Sequence, residues 1–375
     1  MLSFTRSAVA VMVVSSVAFS QPKAPSNDPT ALVQVAVLLD ASNSMDGLIS
    51  QAKSQLWKIV NEFASSKKNG VAPSLEVAFY EYGKSSLDSR EGYIRQLTGL
   101  TSDLDKVSEQ LFALTTNGGD EYCGQVIRRA VDELAWSKNP TVYKAIFIAG
   151  NEPFTQGSVD FRESCKAAIT HSIVVNTIFC GSQGEGAISG WKDGADLADG
   201  NYFAIDQNQQ VAYVTAPQDK EILRLNDELN KTYIAYGTAG RQAKKRQLAQ
   251  DQAAASVASE VAVQRAAAKS SVQYKSEEWD LVEARSKGAL AMAAMPVASL
   301  PPEMAGMDIK EREAYVDAKA KDRARIQSQI QKLQDDRRSY VEAGQKKQSK
   351  GATLDAAMVK AIRTQSGKKG YSFAN

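Results

Sequence analysis

One histidine (His171) and three cysteines (Cys123, Cys165, Cys180) in 375 residues leave little material for a Cys/His zinc site or a His-based catalytic triad. The odd cysteine count allows at most one internal bridge and leaves one thiol over. No apolar run approaches the roughly 20 residues that a membrane-spanning helix needs. Net charge is also low, +2 for the whole chain, and no nucleic-acid partner is expected. That balance hides an asymmetry: up to residue 236 there are 20 Lys+Arg against 27 Asp+Glu, and from 237 onward 25 against 16. A basic C-terminal part of this kind either meets an anionic surface or folds back on its own acidic half.

What is present begins with a charged Met1–Arg6, an apolar Ala8–Val14 and the small-residue pattern Ala18-Phe19-Ser20 before Gln21. This order predicts a signal peptide over 1–20, hence an exported protein in the periplasm, the cell envelope or outside the cell. No transmembrane anchor is expected once it is cleaved, and no cysteine lies near the cleavage site to carry a lipid. Residues 21–30, with Pro22, Pro25 and Pro29, read as a linker.

Val33–Leu39 carries no charge and predicts a strand buried on both faces, which stops abruptly in Asp40-Ala41-Ser42-Asn43-Ser44. Leu48, Ala52, Leu56, Ile59, Val60 and Phe63 then recur at helical spacing. Further strands are predicted over 74–80, 143–149, 173–179 and 202–205, alternating with helices. Short connections between them imply right-handed crossovers and a doubly wound, mainly parallel α/β sheet. In such sheets ligands bind at the C-terminal ends of the strands, where Asp40, Ser42 and Ser44 fall. These three alternate along the turn and can offer oxygen to a hard divalent cation. A plainer role for the two serines is to cap the following helix.

The Asp-x-Ser-x-Ser turn, after a buried strand and before an amphipathic helix, resembles the metal-ion-dependent adhesion site (MIDAS) of von Willebrand factor type A (vWA) domains, and the pattern over 31–236 fits their element order. The resemblance implies a six-stranded Rossmann-like sheet. It also implies a cation held by Asp40, Ser42 and Ser44, by a second polar loop and by the loop after the fourth strand, with a partner's carboxylate filling the open position. The second loop offers Thr115, Thr116, Asp120 and Glu121, and Asp120 is the favoured ligand. Where the family commonly has aspartate after the fourth strand, this chain has Asn151, followed by Glu152. Hard oxygen donors suit Mg²⁺, with Mn²⁺ or Ca²⁺ as alternatives. A second coordinating carboxylate would offset the ion's charge and weaken its pull on an external one. Placement near the same edge predicts a Cys165–Cys180 bridge, with Cys123 as the rival partner, and puts His171 at a helix C-terminus.

Beyond 236 the pattern changes. Residues 237–345 read as helical: an Ala- and Gln-rich stretch over 241–287, a break with Pro296, Pro301 and Pro302, then a long helix from Asp308 to Ala343. Ile326, Ile330, Leu333 and Tyr340 give that helix a partial heptad seam, interrupted by Arg337. So thin a stripe needs a partner surface, as a helical hairpin, a coiled coil, a self-association site or a dock elsewhere. Residues 346–375 read as a basic tail with a short helix. With no nucleophile and base set in evidence, the chain reads as a non-enzymatic, exported, adhesion-type module that binds a protein ligand offering a carboxylate. One alternative is a metal-dependent, phosphatase-like hydrolase with Asp40 as nucleophile, although such enzymes want a second aspartate where Ser42 stands. The other is an envelope scaffold that binds anionic polymer through its basic helical half.

Overall fold

Strand β1 (Leu32–Asp40) lies inside a six-stranded sheet, parallel to and flanked by β3 (Ser74–Tyr82) and β5 (Tyr143–Gly150). The computed structural model describes residues 31–209, 213–288, 292, 295–345 and 353–373. The expected signal peptide, the 21–30 linker and the start of the basic tail lie outside the described residues. In chain order β1 is followed by α1 (Asp46–Ala64), β2 (Ser66–Lys68), β3, β4 (Ile94–Thr101), α2 (Leu104–Phe112), α3 (Cys123–Glu133), β5, α4 (Phe161–Thr170), β6 (Val174–Cys180), α5 (Gln183–Ile188), α6 (Trp191–Leu197) and β7 (Tyr202–Ile205). Then come α7 (Asp219–Asn230), α8 (Gly237–Val257), α9 (Ser259–Lys269), α10 (Leu281–Ser286), α11 (Ile309–Gln345), α12 (Leu354–Gly367) and β8 (Tyr371–Phe373).

The sheet order is β4-β3-β1-β5-β6-β7, with every neighbouring pair parallel except β3 and β4. This is the doubly wound, mainly parallel sheet that the vWA resemblance implies. Because helices cover both faces, the central strands have no solvent side, which is why β1 carries no charge before Asp40. Alternation along β1 splits the core: Val33, Val35 and Leu39 pack with α1, α2 and α12, whereas Ala36 and Leu38 pack with α3 and α4. Strand order reverses at β1, so the crevice between the C-terminal ends of β1 and β5 is the switch point.

The helices after β7 are built into this body. Helix α7 lies on α9 and α11, and it is α12 that covers the sheet beside α1. Leu354, Met358, Ala361 and Ile362 join the core formed by Val35, Phe63 and Phe79. The last strand, β8, pairs antiparallel with β2, and the Tyr371 hydroxyl donates to the Leu32 carbonyl at 2.6 Å. The long helix matches the expected span and packs on α7, α9 and α10. Ile326 and Ile330 are buried with Leu225, Leu229 and Val263, and Arg337, the seam's interruption, pairs with Asp219 at 2.6 Å.

The basic C-terminal part folds back on acidic groups. Arg265 is buried against Asp105 at 2.8 Å and Asp251 at 2.5 Å, with its guanidinium 4.7 Å from the Trp57 ring centroid. Lys269, fully buried, reaches Asp251 at 2.7 Å, Asn230 at 2.6 Å and Asn226 at 3.0 Å. Arg246 meets Asp103 at 2.7 Å, and one pair runs the other way, Lys58 of α1 meeting Asp355 of α12 at 2.6 Å.

The expected Cys165–Cys180 bridge is corrected. All three cysteines are free thiols and buried. Cys165 on α4 packs on one face of the sheet with Cys123, and Cys180, at the end of β6, packs on the other. The two-residue period of the strand sends Cys180 through the sheet, away from α4.

Candidate functional site

Asp40 is the last residue of β1 and is fully buried. One carboxylate oxygen, Oδ1, accepts from the Ser42 backbone N–H at 2.8 Å. The other, Oδ2, is buried and has no hydrogen-bond partner. Two glycines leave room for the carboxylate. A side chain at Gly83, where the backbone has φ of +79°, would put its Cβ 2.7 Å from Asp40 Oδ1 and 2.7 Å from Glu121 Cγ. At Gly150 the Cβ would lie 2.6 Å from the Tyr82 hydroxyl and 3.1 Å from Asp40 Oδ2. The Tyr82 hydroxyl closes the site from below, donating to the Ala149 carbonyl at 3.0 Å.

Neither serine of the turn caps a helix through its side chain. The Ser42 hydroxyl lies 3.3 Å from that of Ser44, and the Ser44 hydroxyl lies 3.2 Å from Asn151 Nδ2. Asp40, Ser42, Ser44 and Asn151 are therefore gathered at one edge.

In the second loop the acid beside Asp40 is Glu121. Asp120 is exposed and accepts from the Tyr122 hydroxyl at 3.2 Å, whereas Glu121 is buried against Asp40. Thr115 is engaged by Lys84 at 3.1 Å and Thr116 by Asp46 at 2.5 Å. Reading the loop by residue type offers both acids and favours Asp120 over Glu121, because adjacent acids look alike in sequence. The available signal is position: Glu121 stands two residues before α3, where the chain turns back under the sheet edge. Gln156 ties the two loops together, accepting from the Glu121 backbone N–H at 3.0 Å and donating to Glu152 at 3.3 Å.

Burial dominates the electrostatics. It pushes the Asp40 carboxyl up to about 7, against the lowering effect of Ser42, with Glu152 adding repulsion. Burial pushes Glu121 up to about 8, with Asp40 and then Glu152 repelling it. A buried, partly unpartnered carboxylate facing a second one calls for protons or for a cation. The donor set is all oxygen, from carboxylate, hydroxyl and amide, which is the chemistry a hard divalent ion takes. Among the described residues no group of three or more His, Cys, Asp or Glu is placed to hold a metal, so the hydroxyls are needed. His171 caps the end of α4, its Nδ1 2.9 Å from the Ala167 carbonyl, far in the chain from this edge.

No family model matches the chain, and no curated relative does. Among solved structures it overlaps BatB of Bacteroides thetaiotaomicron, a conserved hypothetical protein, at 18% identity over 46% of this chain and 90% of that one, TM-score 0.35. It overlaps the VWA domain of SpRpn10 at 16% identity over 48% of this chain and 100% of that one, TM-score 0.36. It also overlaps proximal thread matrix protein 1 from the mussel byssus, solved with a zinc-occupied MIDAS motif, at 15% identity over 46% of this chain, TM-score 0.36. The chain spans 41% of that mussel protein's length. Overlaps this slight leave the fold resting on strand order and connectivity.

Proposed function

We propose that the chain is an exported protein-binding module of the vWA kind, which holds a divalent cation at the C-terminal edge of its sheet and uses it to engage a protein ligand in the cell envelope. The observation that carries this reading is Asp40 Oδ2, buried without a partner beside two hydroxyls and a second acid. Asp40, Ser42, Ser44 and Asn151 would hold the ion, with Glu121 in the place where Asp120 was expected and Asp120 at the exposed rim. Mg²⁺ fits the all-oxygen set, with Mn²⁺ or Ca²⁺ as alternatives. The bound ion would supply a Lewis-acidic position for a ligand's carboxylate.

The chain's own residues set how strong that position is. With both Asp40 and Glu121 ionised around it, a divalent ion is close to neutralised, so an external carboxylate is held less tightly than beside a single aspartate. Gly83 and Gly150 keep the carboxylates accessible to the ion, and Gln156 holds the two loops in register. No helix among the described residues is long and apolar enough to cross a membrane, which is compatible with a released, exported form.

Calorimetric titration with Mg²⁺, Mn²⁺ and Ca²⁺ tests the site, with Asp40→Ala as control. A saturable heat in the parent that vanishes in the variant is expected, and the absence of heat from both proteins would sink the metal reading. For the partner, capture from envelope extracts with and without chelator is expected to give a chelator-sensitive protein.

A further inference from the structure

A second cavity, away from the sheet edge, lies between the 270–276 connection, α10 and the middle of α11, with a volume of about 320 Å³. That is at the lower end of the sizes typical of small-molecule sites, roughly 300 to 1,000 Å³. Its floor is rigid. The Arg323 guanidinium lies 4.0 Å from the Tyr233 ring centroid and is held by Asp280 at 2.5 Å and by the Thr232 carbonyl at 2.8 Å. Asp280 thus neutralises the floor, and the arginine serves as a fixed wall.

The rim is different. Lys275 is half-buried, Lys287 is exposed, and both line the cavity. Neither makes an ion pair with any described residue. The acid that lines the same cavity, Glu283, is already engaged: its carboxylate accepts from the Ser276 backbone N–H at 2.7 Å and from the Ser276 hydroxyl at 2.6 Å. The Ser271 and Ser286 hydroxyls likewise spend their protons on backbone carbonyls, at 2.7 and 2.8 Å. The donors left uncommitted at the rim are therefore the two ammonium groups, with the half-buried Gln327 amide on the α11 side of the cavity. Burial and then like-charge repulsion from Lys287 lower the Lys275 pKa and outweigh the opposing pull of Glu283 and Glu277, so an anion between the two lysines would relieve both costs. Val272, Val282 and Ala320 give the cavity an apolar stretch of wall, beside Ser270, Tyr274 and Gln327.

From this geometry we infer that the cavity is a binding site for a small organic anion, its phosphate or carboxylate head between Lys275 and Lys287 and its compact apolar body against Val272, Val282 and Ala320. It is independent of the cation site, since it draws on different elements and a different charge.

The test uses the full chain with phenyl phosphate, benzoate and the neutral benzyl alcohol as probes, by ligand-observed NMR titration and calorimetry. Saturable binding of at least one anionic probe is expected, weakened by added salt. Lys275→Ala is expected to weaken it about tenfold or more, the size of one lost charge-assisted contact, and Lys275→Ala with Lys287→Ala further still. Ala324→Trp, at an exposed position of α11 on the cavity mouth, is expected to block it with both lysines in place. Binding of both anionic probes, or of only one, supports the site and narrows the head group. No binding of either anion by the folded parent overturns it. So do equal binding of benzyl alcohol, and binding unchanged in both the lysine and the tryptophan variants.

Discussion

Glu121 decides the chemistry of the sheet edge, because it places a second buried carboxylate against Asp40. In chelator both acids are raised well above their ordinary values, to about 7 and about 8. The unfolded chain releases these protons near pH 4, so their contribution to stability is fully present below that pH and is lost as pH rises through 7 and 8. The melting temperature of the metal-free protein is therefore expected to fall between pH 5 and pH 8, and to fall less in Glu121→Gln, as read by differential scanning calorimetry. Saturating Mg²⁺ is expected to recover part of the loss at pH 8 and do little at pH 5, since a cation at 100 times its dissociation constant adds about 2.7 kcal/mol. Glu121→Gln is expected to bind Mg²⁺ more weakly than the parent, and Asp120→Asn to change little. The reverse ranking in calorimetry would return the ligand role to Asp120.

The helices after β7 matter because each closes a gap in another element. Helix α9 brings Arg265 onto two acids, Asp105 from α2 and Asp251 from α8; Arg265 and Asp105 are buried and Asp251 is half-buried. Arg265→Ala leaves the buried Asp105 without its cation, while Lys269 still holds Asp251, and is expected to cost about 3–5 kcal/mol, read from urea unfolding. By contrast Arg224, exposed on α7 between Glu221 and Glu228, is expected to cost less than about 1 kcal/mol when replaced by alanine. Equal losses at the two positions would mean that α9 is not seated as described. Strand β4 shows why local pattern has limits. It is an antiparallel edge strand with register shifts against β3, and it mixes Arg95, Gln96 and Gly99 with a few apolar residues. An edge of this kind needs no strict alternation, so its periodicity is weak and the sequence reading passes over it.

For the molecule as a whole, α12 covers the sheet face that residues 31–236 alone leave open. Residues 31–236 contain the whole six-stranded sheet, yet Val35, Phe63 and Phe79 share their core with Leu354, Met358 and Ile362. A chain ending at residue 236 is expected to be insoluble, or to lose its cooperative unfolding transition and bind hydrophobic dye. A soluble fragment with a sharp transition would show the sheet to be self-sufficient. In the full chain, Ile362→Ala is expected to cost about 2–5 kcal/mol, as for other fully buried aliphatic side chains.

The sequence by itself determined the features that repeat over short distances. The chargeless β1, the Asp-x-Ser-x-Ser turn at its end, the helical spacing of α1 and the long α11 are all set by neighbours within a few turns or pleats, so they are legible without a fold. Tertiary structure alone decided which of two adjacent acids faces Asp40, which face of the sheet receives Cys180, and that the basic helices turn back onto Asp103, Asp105 and Asp219. It also decided that a helix some 150 residues after the last sheet strand lies beside α1. Those outcomes depend on burial and charge pairing between segments far apart in the chain, and no local period records them.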